Sequence, residues 1–138
     1  MSNVKIGIVT SRFNEDITTQ LHAAAVKRLN EKNIPAENIT SVFVPGAVEI
    51  PLAAQHLAKT KHYDAIICLG AVIRGDTDHY DYVCQQVSYG VQRVALDHHI
   101  PVTFGILTTE TEEQAQERVS IIPGYVDGTF EMIALVKK

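Results

Sequence analysis

Four short stretches of this chain gather side chains able to bind and transform a polar, phosphorylated molecule. Ser11-Arg12-Phe13-Asn14 offers an aromatic ring, and Pro45-Gly46-Ala47-Val48-Glu49 offers a carboxylate. Arg74-Gly75-Asp76-Thr77-Asp78-His79 joins a glycine loop to an imidazole, and Thr108-Thr109-Glu110 adds hydroxyls and an acid, with Arg118 further along. An imidazole ordinarily titrates near physiological pH and can relay protons. Free N–H groups where a loop enters a helix suit a phosphate, and an exposed ring suits a planar heterocycle. Each residue also has a plainer reading. His79 can be an exposed helix cap, Phe13 a core ring, Glu49 a solvated helix-start carboxylate and Arg118 a surface charge, so no single one decides.

Several other chemistries fail on the same residues. Gly70 and Gly75 have the glycine spacing of a nucleotide-triphosphate loop, but Asp76 stands where its lysine should be and would repel the phosphates. No GxGxxG follows the first strand, which removes the dinucleotide fingerprint. A phospho-acceptor domain needs acids at the ends of the first and third strands, and those ends read Thr10-Ser11 and Leu69-Gly70. Asp76, Asp78 and Asp81 resemble the opening of a calcium loop but lack its spacing, its central glycine and its terminal glutamate. His98 and His99 are adjacent and cannot face one point from a helix. No metal is expected.

The elements that must position these residues follow from apolar periodicity. Val4 to Thr10, Ile39 to Val44, Ala65 to Val72 and Pro101 to Leu107 read as strands. The third is nearly all apolar, as expected where helices cover both faces of a parallel sheet. Asn14 or Asp16 can cap a helix over Ile17 to Glu31. A second helix follows Pro45-Gly46 and runs to about Thr60, with Pro51 confined to its first turn. Val83, Val87, Val91, Val94 and Ala95 stripe a third helix over Tyr80 to Leu96. Thr109 or Thr111 can cap a short one through Arg118. Pro123-Gly124 and Gly128 predict that Ser120 to Gly128 is not regular helix throughout, leaving about two turns over Thr129 to Val136. The alternation predicts an α/β fold, a three-layer α/β/α sandwich around a four-stranded parallel sheet. Ligands of such sheets bind outside the carboxyl ends of the strands, and that rim is where the four stretches fall.

The 138 residues are 46% hydrophobic and 20% charged, with net charge -4, which predicts one globular domain over residues 1–138. An acidic balance argues against a nucleic-acid binder. No apolar run approaches the roughly 20 residues of a membrane span. Met1-Ser2-Asn3-Val4-Lys5 does not read as an export signal. Cys68 and Cys84 are therefore expected as reduced thiols, and the expected compartment is the cytoplasm.

Taken together and in order, the motifs closely resemble the 6,7-dimethyl-8-ribityllumazine synthase family, a flavodoxin-like fold. The resemblance rests on Ser11 to Asn14, Val44 to Pro51, Leu69 to His79, Phe104 to Glu110 and Gln114 to Arg118, collinear from about Val4 to Arg118. It implies the penultimate step of riboflavin synthesis. There 5-amino-6-(D-ribitylamino)uracil condenses with 3,4-dihydroxy-2-butanone 4-phosphate, releasing phosphate and water, with no cofactor. By resemblance Phe13 stacks on the pyrimidine, Ala47, Val48 and Glu49 contact the ribityl chain, and Ala71, Val72 and Ile73 lie against the heterocycle. Asp76 and Thr77 hold the phosphate, and His79 is the catalytic proton shuttle. Phe104 and Arg118 complete the site of a neighbouring subunit, which implies a homo-oligomer, a pentamer or a multiple of it, inactive as a monomer.

The chain also departs from the family pattern. A glycine- and lysine-containing segment after the arginine is replaced by Val119 to Gly128, and no lysine lies between Arg118 and Lys137. Arg118 is then the main phosphate cation, with Arg74 equally readable as a structural ion pair. The start lacks the extra strand with which many members link to neighbours, which weighs against icosahedral shells. The altered segment motivates an alternative, a lumazine- or flavin-binding assembly protein with little catalysis. The archaeal-type riboflavin synthase, which consumes two lumazines, is the other alternative.

Overall fold

The computed structural model describes residues 3–138, so Met1 and Ser2, part of the start read above for an export signal, lie outside it. Strands β1 (Ile6–Ser11), β2 (Ile39–Val44), β3 (Ala65–Ile73) and β4 (Val102–Thr109) alternate with helices α1 (Glu15–Glu31), α2 (Ile50–Thr60), α3 (His79–His98), α4 (Glu112–Arg118) and α5 (Ile122–Val136). The strands form one four-stranded sheet in the order β2-β1-β3-β4, and every pairing is parallel. This is the predicted flavodoxin-like α/β sandwich. β1 and β3 are central and buried almost throughout, because helices cover them from both sides.

Two apolar clusters separate the layers. Ile8, Ile67 and Leu69 pack with Leu21 and Leu29 of α1 and with Ala115, Ile122, Val126 and Phe130 of α4 and α5. Val9, Ile66 and Cys68 pack on the other face with Ile50, Ala54 and Leu57 of α2 and Val87, Val91 and Val94 of α3. Pro51 sits in the first turn of α2, after a 3₁₀ turn over Ala47–Glu49. Thr111 caps α4, accepting from the Gln114 N–H at 3.1 Å while the Gln114 carboxamide accepts from the Thr111 N–H at 3.3 Å.

The C-terminal expectation is corrected. Ser120 to Gly128 is helical: a 3₁₀ turn over Val119–Ile121 leads directly into α5, with Pro123 in its first turn. Proline is harmless there because no intrahelical partner awaits its missing N–H. Gly124 and Gly128 are carried because Ile122, Val126, Phe130 and Ile133 bury one stripe against the sheet and α1, and packing outweighs intrinsic propensity. The joined stretch Glu112–Val136 is, by length and composition alone, apolar enough to cross a bilayer. It is not an unbroken apolar run, since Glu112, Glu113, Glu117, Arg118, Asp127 and Glu131 interrupt it, and its buried apolar side chains belong to the core.

Candidate active site

The chain leaves β1 toward one side of the sheet and returns for β3 on the other. That reversal opens a crevice at the carboxyl ends of β1 and β3. A cavity of about 410 Å³ occupies it, lined by Phe13, Asn14, Gly46, Ala47, Val48, Ala71, Val72, Ile73, Gly75, Thr77, His79, Tyr80 and Val83. The volume falls in the range of small-molecule sites, and the lining is mainly apolar with a few convergent polar groups.

Three exits are tied together at its mouth. The N–H groups of Arg12 and Phe13 donate to the carbonyls of Val44 and Pro45 at 2.8 and 3.0 Å, which zips the β1 exit to the β2 exit. Asn14 adopts the left-handed conformation, with φ 63°. Its side-chain amide does not cap α1. It crosses to donate to the carbonyl of Ala71 at 2.8 Å, fastening the same loop to the end of β3. Phe13 is thereby held at the rim with 71% of its surface exposed. An unattached phenyl ring would turn inward, so this backbone clamp makes it available for stacking.

On the opposite wall, Thr77 Oγ1 accepts the N–H of His79 at 3.2 Å and keeps its own proton for a ligand. Among the described residues, the N–H groups of Gly75, Asp76, Thr77 and Asp78 meet no backbone acceptor. They stand just before a 20-residue helix, whose dipole favours an anion. His79 and Val83 are four apart on α3 and share one face toward the cavity. Tyr80 lines it too, with Cys84 and Thr108 beside its hydroxyl. Burial, then Cys84, raises the Tyr80 phenol above its ordinary pKa, which keeps it neutral.

Most of the candidate residues meet at this one place. Phe13, Ala47, Val48, Ala71, Val72, Ile73, Thr77 and His79 line the cavity. Glu49 and Asp76 are at its edge in sequence but outside the lining. One Glu49 oxygen folds back to accept the Gly46 N–H at 2.8 Å, so only the other is available outward. Phe104 and Arg118 are not in this cavity. Phe104 pairs with Cys68, three residues below the Leu107–Ala71 pair, or about 10 Å down the strand. Arg118 ends α4, whose Ala115 packs in the α1–α5 layer and whose Gln116 exchanges hydrogen bonds with Gln20 of α1. It therefore lies in the layer opposite Tyr80 and Val83. Asn14 is expected at this rim but as a helix cap and not as a tie to β3, and Tyr80 and Val83 are expected only as helix residues. Val83 carried a signal in its helical spacing from His79, whereas the Asn14 contact spans 57 residues of sequence.

Over residues 3–137 the chain matches the family described as 6,7-dimethyl-8-ribityllumazine synthase. The chain belongs to the lumazine synthase family. A 6,7-dimethyl-8-ribityllumazine synthase of Coxiella burnetii (strain Dugway 5J108-111) is 52% identical over 142 residues, covering 99% of this chain and 94% of the relative. Those of strains CbuG_Q212 and RSA 493 / Nine Mile phase I are 51% identical with the same coverage. The family match includes Val119 to Gly128, so the divergent stretch lies within the lumazine synthase match and does not follow it as a foreign tail. Among the described residues, no three His, Cys, Asp or Glu side chains converge as metal ligands.

Proposed function

We propose that the chain, acting as one unit over residues 1–138, condenses 5-amino-6-(D-ribitylamino)uracil with 3,4-dihydroxy-2-butanone 4-phosphate to give 6,7-dimethyl-8-ribityllumazine. The observation that carries this is the convergence, in one cavity, of an exposed ring, an apolar floor, free amides at a helix start and an imidazole. Phe13 stacks on the pyrimidine over the floor of Ala71, Val72 and Ile73. Ala47, Val48 and the outward Glu49 oxygen take the ribityl chain. The amides about Asp76 and the Thr77 hydroxyl take the phosphate.

The 5-amino group adds to the ketone and water leaves, forming the imine. Loss of a carbon-bound proton and expulsion of phosphate give an enol that tautomerises to a ketone. The ribityl-bearing nitrogen closes on that carbonyl and a second water leaves. His79 accepts and returns the protons. Holding two reactants together contributes much of the acceleration, since good orientation alone can lower a barrier by roughly 7–11 kcal/mol. No observation favours the assembly-protein or riboflavin synthase alternatives. The test is to mix the purified protein with both substrates and follow the lumazine chromophore. Product forms if the reading is right, and none at high protein concentration overturns it.

The working unit is a homo-oligomer, a pentamer or a multiple of it, in the cytoplasm. Support for the ring comes from the separation of Arg118 and Phe104 from their own cavity and from exposed apolar side chains on α3. Tyr82, Tyr89 and Leu96, spaced by seven, are 69%, 66% and 70% exposed and form one stripe. A site shared between unlike surfaces is a heterologous contact, which builds a ring where its rotation closes. Both cysteines are free thiols, as a reducing compartment keeps them. Co-assembling His79→Ala with Arg118→Ala subunits tests the sharing. Random mixing leaves about a quarter of the interfaces with both groups intact, so activity should exceed that of either parent. Activity no higher than the parents', or a fully active monomer, refutes it.

A further inference from the structure

Arg74 lies outside the cavity, yet its side chain makes three separate contacts around it. Nε donates to Glu110 at 2.9 Å, and Nη2 donates to Asp81 at 3.2 Å. The guanidinium also covers the Tyr80 ring at 4.4 Å from its centre. Its backbone N–H continues the sheet to the Thr109 carbonyl at 2.9 Å. Tyr80 and Asp81 belong to the first turn of α3, directly after His79, while Glu110 follows β4 and leads into α4.

The need for such a clamp is visible in the loop before α3. Residues 75 to 79 are exposed. Among the described residues, the Gly75 to Asp78 amides make no backbone hydrogen bonds. Among the described residues, the loop holds the start of α3 through local contacts alone. The Thr77 hydroxyl accepts the His79 N–H, and the Asp78 carbonyl accepts the Asp81 and Tyr82 N–H groups. None of these ties it to the sheet. Exposed ion pairs add little to global stability. A planar guanidinium fork does fix orientation, because its donors point in set directions and its face stacks on a ring. Lysine has neither property.

We propose that Arg74 is a positioning residue. It clamps the first turn of α3 to the exit of β4 and so sets His79, and the amides that receive the phosphate, against the cavity floor. This rests on the reaction proposed above, and it adds a link between the imidazole and the element that carries Arg118.

The experiment compares Arg74→Gln, Arg74→Lys, Glu110→Gln and the double Arg74→Gln/Glu110→Gln variant with the parent protein. It reads kcat, the KM of each substrate, thermal melting, and amide exchange over residues 77 to 82. Arg74→Gln should lower kcat on the order of 10- to 100-fold, the scale of a displacement near 1 Å. It should also raise the KM of the phosphorylated ketone and leave the KM of the uracil substrate unchanged, because Phe13 and Asn14 are anchored independently. Arg74→Lys should recover part of kcat. The double variant should match Arg74→Gln, since one contact is removed once. Faster exchange over residues 77 to 82 should accompany these changes without loss of cooperative melting. Unchanged kcat and exchange in Arg74→Gln overturns the proposal, as does a loss confined to melting temperature or additivity in the double variant. If the parent itself makes no lumazine, the reaction is refuted, and the exchange comparison still decides the clamp.

Discussion

Asn14 allows a backbone effect to be separated from a side-chain hydrogen bond at a single position of the site. Its φ of 63° is left-handed, and its amide donates to Ala71 across the mouth of the cavity. Asn14→Gly and Asn14→Ala both delete that donor, which costs about 0.5–1.5 kcal/mol in each. Alanine also keeps a Cβ in the left-handed region without the polar side chain that lets asparagine tolerate it, whereas glycine has no Cβ, a difference of about 1–2 kcal/mol. Glycine avoids that but gains freedom in the unfolded chain, about 0.5–1 kcal/mol. Alanine should therefore be the less stable of the two by roughly 0.5–1 kcal/mol.

Asn14→Asp preserves shape and tolerance of positive φ, but its carboxylate sets an acceptor against the Ala71 carbonyl. It should be less stable than the glycine variant at neutral pH. Urea unfolding at one fixed protein concentration measures all three, because assembly makes stability concentration-dependent. All variants should also raise the KM of the uracil substrate, since the loop carrying Phe13 loses its tie to β3. Equal midpoints for Gly and Ala would refute the backbone account. An alanine variant as stable as the parent would refute the hydrogen-bond account.

Three further outcomes are expected. Burial lowers the pKa of His22 from 6.5, so the unfolded chain binds its proton more readily and stability falls as pH drops through 6.5 toward the folded value. His22→Gln should flatten that fall, and a urea midpoint followed from about pH 8 to pH 5 reads it. Gly128 has open space where a Cβ would go, while one on Gly90 would lie 2.7 Å from Pro51. Gly128→Ala should stabilise by about 0.5–1 kcal/mol and Gly90→Ala should destabilise, so melting shifts of the same sign would contradict this. Burial pushes the Cys68 thiol to about 12 and raises Cys84 to a lesser degree. A disulfide reagent should modify Cys84 slowly in the native protein and Cys68 only on unfolding; prompt native labelling of Cys68 would contradict the burial.

The strands were readable because a doubly covered sheet demands continuous apolar runs, and Ala65–Ile73 is such a run. The site was readable where it depends on position, since residues just beyond a parallel strand arrive at one rim whatever their type. Phe13, Val48, Thr77 and His79 follow that rule, and Val72 lies at the end of β3 itself. Asn14 reaches the rim by the same rule, but its contact does not follow from it, because local pattern sees only a capping residue at a helix start. The use of its side chain on Ala71 depends on a pairing of β1 with β3 that no local window contains.

The C-terminus failed for the opposite reason, and the failure bears on how the site is assembled. Pro123, Gly124 and Gly128 argue locally against helix, while Ile122, Val126, Phe130 and Ile133 recur at helical spacing and argue for it. The core settles the contest in favour of the stripe. With α4, the 3₁₀ turn and α5 thus joined into one stretch, no flexible hinge separates Arg118 from the packed helix behind it. Arg118 ends α4 on the α1–α5 layer, and the cavity opens at the carboxyl edge of the sheet, walled by the 3₁₀ turn before α2 and the first turns of α3. Under the shared site proposed above, the phosphate that Arg118 meets is the one bound by a neighbouring copy, and the rigidity of this stretch is what would hold the guanidinium ready for it.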